Sequence, residues 1–270
     1  MSMRHRIFDC ITFFRENFIT NIRFEILKNS VDFFVICESK FDHTGKKKSL
    51  NFKLRNPLFK KKIIYIVIDE PFPTNLKTGW ERQAYQRDYM ICKIPNIQVN
   101  DYLFFSDPDE IPDPSKLKNF KLKKKYGIFL QKFYTYKFNI YNKYDSPWEG
   151  TRVCKFGDLK SINYMRQNIL IKNLRKWWRP DKEKNIEVIS EGGWHFNNIL
   201  SPKELSTKLK TFAHQEYNFN IYTNKKKIIE RVNARKDLYN KDRNFTPVKL
   251  DNTFPKYILE NKNKFKAFIE

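Results

Sequence analysis

The sequence predicts an α/β fold built on a mostly parallel central sheet. Three observations carry this. Apolar runs of strand length recur at residues 7–14, 31–36, 63–68 and 102–106. Segments at 18–29 and 79–94 carry helix-type sequence between them. Three of the runs are followed closely by a carboxylate, at Glu38, Asp69 and Asp107. Unbroken apolar strands that alternate with helices are buried on both faces, as parallel sheets are. Their carboxyl ends lie along one edge, so these three acids are expected to share a cleft.

Each element has its own reason. Residues 7–14 contain Asp9, Cys10 and Thr12 and no small-residue cleavage site, so they read as a strand and not as a signal peptide. Phe18, Ile22 and Ile26 recur at helical spacing and predict a helix over 18–29. Val31 to Ile36 is β-branched and aromatic, a buried strand. Residues 40–51 are polar and basic around Gly45 and predict a loop. Ile63 to Ile68 is wholly apolar, a helix follows Gly79, and Tyr102 to Ser106 is the next strand.

After residue 126 the pattern changes. Ile128 to Phe138, Thr151 to Phe156 and Ile186 to Ile189 are strand-like with no long helix between them, which predicts a mixed, partly antiparallel second half. Leu205, Leu209 and Phe212 share one face of a helix over 203–213. Residues 219–270 are rich in Lys and Asn with weak periodicity and predict a C-terminal helical or partly ordered extension.

Bulk properties narrow the function. The 270 residues, 40% of them hydrophobic, suffice for one sizeable core, and no run of eighteen apolar residues encodes a membrane span. The four cysteines are isolated from one another, which fits buried free thiols in a reducing compartment better than a zinc site. The net charge of +23 is concentrated in lysine clusters at 46–48, 60–62, 123–125 and 225–227. Codon usage in an AT-rich genome would yield much of this composition without any anionic partner. The remaining charge suits a phosphorylated ligand or an anionic membrane surface. Arg-rich and aromatic-interleaved motifs are missing, so no specific nucleic acid is expected.

Several clusters can carry chemistry. Phe104-Phe105-Ser106-Asp107-Pro108-Asp109-Glu110-Ile111-Pro112 places alternate carboxylates after a buried strand. Two such oxygens, Asp107 and Asp109, can converge on one hard divalent cation, which can then clamp a diphosphate leaving group. The structural alternative is a solvated turn. In the helix after Gly79, Arg82, Gln86 and Tyr89 share a face that Arg87 flanks, suited to phosphate, or merely a solvated face. Glu191-Gly192-Gly193-Trp194-His195-Phe196 offers a general base, a close backbone approach, a flat ring for a sugar and a metal ligand. Its structural alternative is a tight turn with a core tryptophan. Phe212-Ala213-His214-Gln215-Glu216-Tyr217 and Trp148-Glu149-Gly150 add His214, Glu216 and Glu149. The candidate base therefore remains open among Glu191, Glu149 and Glu216.

In order along the chain, these stretches resemble glycosyltransferase family 17, the family of the β-1,4-mannosyl-glycoprotein 4-β-N-acetylglucosaminyltransferases. The matching residues begin with Phe8-Asp9-Cys10, Phe13-Phe14, Val31-Asp32, Val35-Ile36-Cys37-Glu38-Ser39 and His43-Thr44-Gly45. They continue with Trp80-Glu81-Arg82, Gln86-Arg87-Asp88, the Ser106 to Pro112 stretch, Gly192 to Phe196 and Phe212 to Tyr217. The resemblance implies a GT-A nucleotide-sandwich fold over 1–218, with a nucleotide-binding half at 1–112, an acceptor half at 113–218 and an extension at 219–270. It implies inverting transfer from a UDP-sugar, UDP-GlcNAc by family, with Mn2+ or Mg2+ as cofactor. Asp107 and Asp109 would serve metal and diphosphate, with His195 as a further metal ligand. Glu38 would lie near the nucleoside, and Arg82, Gln86 and Arg87 near the diphosphate, with Trp194 and His214 also on the donor side. A glycan or glycolipid is the expected acceptor, and a cytoplasmic enzyme of bacterial or viral origin the expected setting. A metal-dependent phosphodiesterase or nucleotidyltransferase, or a non-catalytic binder of anionic polymers, would account for the acids or the lysines alone.

Overall fold

A computed structural model describes residues 5–211, 219–239 and 241–270. In chain order the strands begin β1 (Ile7–Phe13), β2 (Phe33–Ser39), β3 (Ile63–Ile68), β4 (Tyr102–Ser106), β5 (Glu110–Pro112) and β6 (Tyr126–Thr135). They continue with β7 (Ile140–Tyr141), β8 (Trp148–Lys155), β9 (Ile186–Ile189), β10 (Gly193–Asn197) and β11 (Thr246–Pro247). The helices are α1 (Asn17–Leu27), α2 (Gly79–Tyr89), α3 (Pro114–Leu117), α4 (Ile162–Asn168), α5 (Pro202–Thr211), α6 (Asn220–Thr223), α7 (Lys225–Asn233) and α8 (Lys256–Glu260). None of the described helices is long and apolar enough to cross a membrane.

The sheet runs in the order β11-β7-β6-β8-β4-β1-β2-β3. The β4-β1-β2-β3 half is parallel, whereas β8 is antiparallel to both β4 and β6. β10 lies between β6, to which it is parallel, and β5, to which it is antiparallel. The sheet is thus parallel in its first half and mixed in its second, as the change of pattern after residue 126 predicts.

Alternation along the strands divides the core between two faces. On β4, Tyr102 and Phe104 join the layer of Phe24, Phe34 and Phe129, while Leu103 and Phe105 join that of Phe8, Val35 and Met165. Asp9 falls between Ile7 and Ile11 and therefore shares the face that α1 covers. There it meets Arg23, and both side chains are excluded from solvent. Residues beyond 245 return to this layer, with Phe254, Ile258 and Phe265 buried in it. Leu205, Leu209 and Ile228 form a smaller cluster with Tyr136 and Phe245.

The two glycines before Trp194 serve this packing. Gly193 has φ +130°, and a Cβ there would lie 2.2 Å from the Ile111 carbonyl oxygen. A Cβ on Gly192 would meet the β6 backbone at 2.9 Å. The close approach expected toward a ligand is made instead to β5 and β6, because β10 is wedged between them. Cys10, Cys37 and Cys154 are buried free thiols, and Cys92 is exposed in the turn after α2.

Candidate active site

The site forms where β4 ends. The Asp107 carbonyl accepts from the Glu110 amide at 3.0 Å, closing a turn that brings Asp107, Asp109 and Glu110 together. Glu110 is fully buried, and its carboxylate is saturated from three directions. Its Oε2 accepts from the Asp107 amide at 3.1 Å and its Oε1 from the Trp148 indole at 2.6 Å. Arg166, from α4, reaches both oxygens, at 3.0 and 2.6 Å. The same guanidinium bonds Asp107 Oδ2 at 2.9 Å and the Gly150 carbonyl at 3.1 Å. Ser161 caps α4, and Ile162 and Met165 bury its apolar side, which leaves Arg166 directed at the carboxylates.

Beneath the turn lies the Asp9–Arg23 pair. Arg23 donates to both Asp9 oxygens at 2.7 and 2.6 Å, to the Glu110 carbonyl at 2.6 Å and to Ser106 Oγ at 2.8 Å. One buried cation therefore ties β1 to both ends of the acidic turn.

Across the β5–β10 pairing, His195 of β10 stands opposite Glu110 in register. It packs between Phe133 and Trp148, with ring centroids 4.3 and 5.1 Å away. Its Nε2 is 3.5 Å from Asp109 Oδ1, and its buried Nδ1 has no hydrogen-bond partner among the described residues. Lys208 of α5 stands 4.0 Å from Asp109 Oδ2. Arg87 of α2 lies over the Phe105 ring, 3.9 Å from Asp107 Oδ1, and donates to Asn163.

These neighbours set the charges. Burial alone would raise the Asp109 carboxyl, but His195 and then Lys208 hold it down at about 2. Asp107 likewise is held below the usual carboxylate range by Arg166 and Arg87 against the effect of burial. Arg166 is raised by Glu110 and Asp107 although burial opposes it. Arg152, wholly buried beside Arg166, is pushed down to about 9, chiefly by burial. Both aspartates are therefore anionic at neutral pH.

Among the described residues, no group of three or more His, Cys, Asp or Glu side chains is placed to hold a metal ion. Two donors, Asp109 and His195, have the spacing of an open site. Two ligands on adjacent octahedral positions at about 2.1 Å from an ion stand about 3 Å apart, close to the separation of Asp109 and His195. Mg2+-like ions commonly take one or two protein carboxylates and complete their shell with substrate phosphates and water.

The other expected residues fall elsewhere. Glu38 is buried and spent inside the fold: it accepts from the Asn51 and Phe52 amides, from Lys48 Nζ and from the Tyr65 hydroxyl. It anchors the 48–52 loop and has no oxygen left for a nucleoside. Asp69 pairs with Lys40 at the far edge of the sheet. Strands are about 4.8 Å apart, so β3 lies roughly 14 Å from β4 and the three strand-end acids do not share a cleft. Gln86 bonds His43 and the Cys37 carbonyl, and Arg82 donates to the His43 carbonyl. Both residues hold the 42–46 loop. Trp194 is 6% exposed, parallel to Phe196, and donates its indole N–H to the Thr253 carbonyl, so its face is core and is not offered to a sugar.

Glu191 is exposed at a positive-φ turn, four residues before His195 on an extended segment. At about 3.3 Å per extended residue, its Cα lies no more than about 13 Å from that of His195. Glu149 borders the cluster: its Oε2 accepts from Arg152 and from the Ile171 amide, both at 3.2 Å. His214 and Glu216 lie outside the described residues. Sequence reasoning missed Arg166, Lys208 and the Asp9–Arg23 pair, and it singled out the Trp148-Glu149-Gly150 stretch without giving Trp148 a role. One signal was available for Arg166: no carboxylate stands three or four residues from it, so its charge needs a distant partner.

The carboxyl end of a parallel strand, where this charged cluster lies, is where open α/β folds bind their ligands. The family model described as Glycosyltransferase family 17 matches residues 1–269, and the chain belongs to that family. Two curated relatives are the β-1,4-mannosyl-glycoprotein 4-β-N-acetylglucosaminyltransferases of Rattus norvegicus and Homo sapiens, each 30% identical over 116 residues. Those matches take in 40% of this chain and 22% of each relative, so the chain spans about a fifth of their length. Among solved structures, a glycosyltransferase involved in glycosylation of the major capsid of PBCV-1 aligns with TM-score 0.32 and 12% identity, covering 68% of this chain and 81% of that one. Glucosyl-3-phosphoglycerate synthase from Mycobacterium tuberculosis, in complex with Mn2+, UDP and phosphoglyceric acid, aligns with TM-score 0.34 and 12% identity over 94% and 91%. Family membership favours a glycosyltransferase over the phosphodiesterase, nucleotidyltransferase and polymer-binding readings.

Proposed function

We propose that this chain is a metal-assisted inverting enzyme that transfers a sugar, GlcNAc by family, from a UDP-sugar to a hydroxyl of a glycan or glycolipid. The observation that carries this reading is the convergence of Asp107, Asp109, His195 and Arg166 at the end of β4. Asp109 and His195, with Asp107 beside them, would hold Mn2+ or Mg2+, which supplies charge neutralisation on the departing diphosphate. Arg166 fixes the carboxylate of Asp107, and Arg87 and Lys208 add positive charge beside the pair.

Glu149 is the base best supported by position. Arg152 and the Ile171 amide orient it through one oxygen. It takes the acceptor proton as the acceptor oxygen bonds to the anomeric carbon, and the bond from that carbon to UDP breaks on the opposite face. The test is a panel of UDP-, GDP- and CDP-sugars with and without Mn2+, reading nucleotide release and thermal shift. Mn2+-dependent release from one UDP-sugar supports the proposal. Release from none of them, with no thermal shift, overturns it.

A further inference from the structure

The segment that follows α4 carries some of the most exposed large apolar side chains among the described residues. Trp177 is 81% exposed, Trp178 59% and Leu174 36%. The two indoles stand edge to face at 6.1 Å, so they cover little of each other. Successive turns hold the segment: the Lys176 carbonyl accepts from the Arg179 amide, and the Arg179 carbonyl from the Lys182 amide. Buried Asn173 pins its start by bonding the Asn168 carbonyl at 2.6 Å. The rings are therefore presented by an ordered backbone. Between residues 172 and 184 there are six basic side chains against two acidic ones. Asp181 is already paired with Arg179 and Lys182, which leaves Lys172 and Arg175 of the same segment exposed and without an acidic partner among the described residues.

Paired indoles beside unpaired cations match the chemistry of a membrane interface. Trp rests at the headgroup level, and Lys and Arg are drawn to anionic headgroups. A sugar platform would present a ring beside free amide or carboxylate groups, and the segment's only asparagine, Asn173, is buried and bonded internally. We infer that residues 172–179 form a docking strip for an anionic lipid surface, with Trp177 and Trp178 inserted at the interface. The strip begins next to Ile171, whose amide holds Glu149. Docking would therefore bring the acceptor side of the cluster to the bilayer; this last point alone rests on the function proposed above.

Sedimentation of the full chain with vesicles tests this without any activity assay. Pure phosphatidylcholine vesicles are compared with phosphatidylcholine–phosphatidylserine vesicles at physiological salt, with Trp emission read in parallel. Binding to the mixed vesicles with a blue shift is expected. Trp177→Ser with Trp178→Ser should abolish the shift and weaken binding at least about tenfold. Lys172→Glu with Arg175→Glu should weaken binding by a similar factor. All four positions are exposed, and circular dichroism checks that each variant is folded. Three results would overturn the inference: no sedimentation with either vesicle, binding that neither variant changes, or vesicle binding retained by the tryptophan variant while its binding to soluble glycans is lost.

Discussion

Arg166 grips Glu110 with both arms of its guanidinium, one nitrogen to each carboxylate oxygen at 3.0 and 2.6 Å. Glu110 stands in the acidic stretch, but its partner lies 56 residues away in sequence. Together they set the shape of the acidic turn, because Glu110 Oε2 also receives the Asp107 amide. Removing the cation leaves a buried carboxylate short of donors. Arg166→Ala is expected to cost about 3–5 kcal/mol in urea unfolding. Arg166→Lys keeps the charge but not the fork and should lose about 1–3 kcal/mol. A stability equal to wild type for Arg166→Ala would show that the pair does not hold the turn.

Asp109→Ala should lower transfer at least about 100-fold, as expected on losing an electrostatic clamp on the leaving group. Its circular dichroism should be unchanged, because among the described residues its side chain makes only long contacts, to His195 at 3.5 Å and to Lys208 at 4.0 Å. Titration calorimetry with Mn2+ and UDP should show the same loss independently of turnover. Undiminished transfer by this variant would remove Asp109 from the site.

Arg23 and Asp9 form a pair wholly removed from water. Either single change, Asp9→Asn or Arg23→Met, is expected to destabilise by about 3–5 kcal/mol, whereas Asp9→Leu with Arg23→Met should recover most of that loss. Transfer should not recover with it, since Arg23 also holds the Glu110 carbonyl and Ser106. A double variant that is both stable and fully active would reduce Arg23 to a core residue.

His43 supplies a pH dependence. Its Nε2 lies 3.0 Å from Gln86 Oε1, and burial lowers its pKa below the ordinary 6.5, with the Gln86 bond opposing the shift. The folded state therefore binds this proton less readily than the unfolded chain does. The stability contributed by neutral His43 is complete above the unfolded value and is lost as pH falls from there through the folded one. Urea unfolding between about pH 7.5 and 5 should show a steeper decline for wild type than for His43→Gln. Equal slopes would rule out His43 as the titrating group.

Much of the fold is legible because it follows from local pattern. The apolar runs that became β2 and β4 are buried almost throughout, and Thr78 caps α2 through a reciprocal bond with Glu81. The site is less legible because its chemistry is divided among distant segments. Asp107 and Asp109 announce themselves by spacing, but Arg166 is 59 residues from Asp107 and acquires meaning only through α4 packing. Glu38 misleads for a related reason. A carboxylate at a strand end has the same local sequence whether it faces a ligand or, as here, two backbone amides of the following loop. Gly192 and Trp194 mislead because β10 lies inside the sheet, which their sequence neighbours do not reveal.

The cysteines divide by accessibility. Burial raises the thiol of Cys10 and pushes those of Cys37 and Cys154 up to about 12, while Cys92 faces solvent. Only thiolates attack maleimides, so a dye added to the native protein should mark position 92 alone. The three silent thiols sit on β1, β2 and β8, strands of one continuous sheet. Their rate of modification in dilute denaturant becomes a clock for how often those strands part, read by mass from a single unmutated chain.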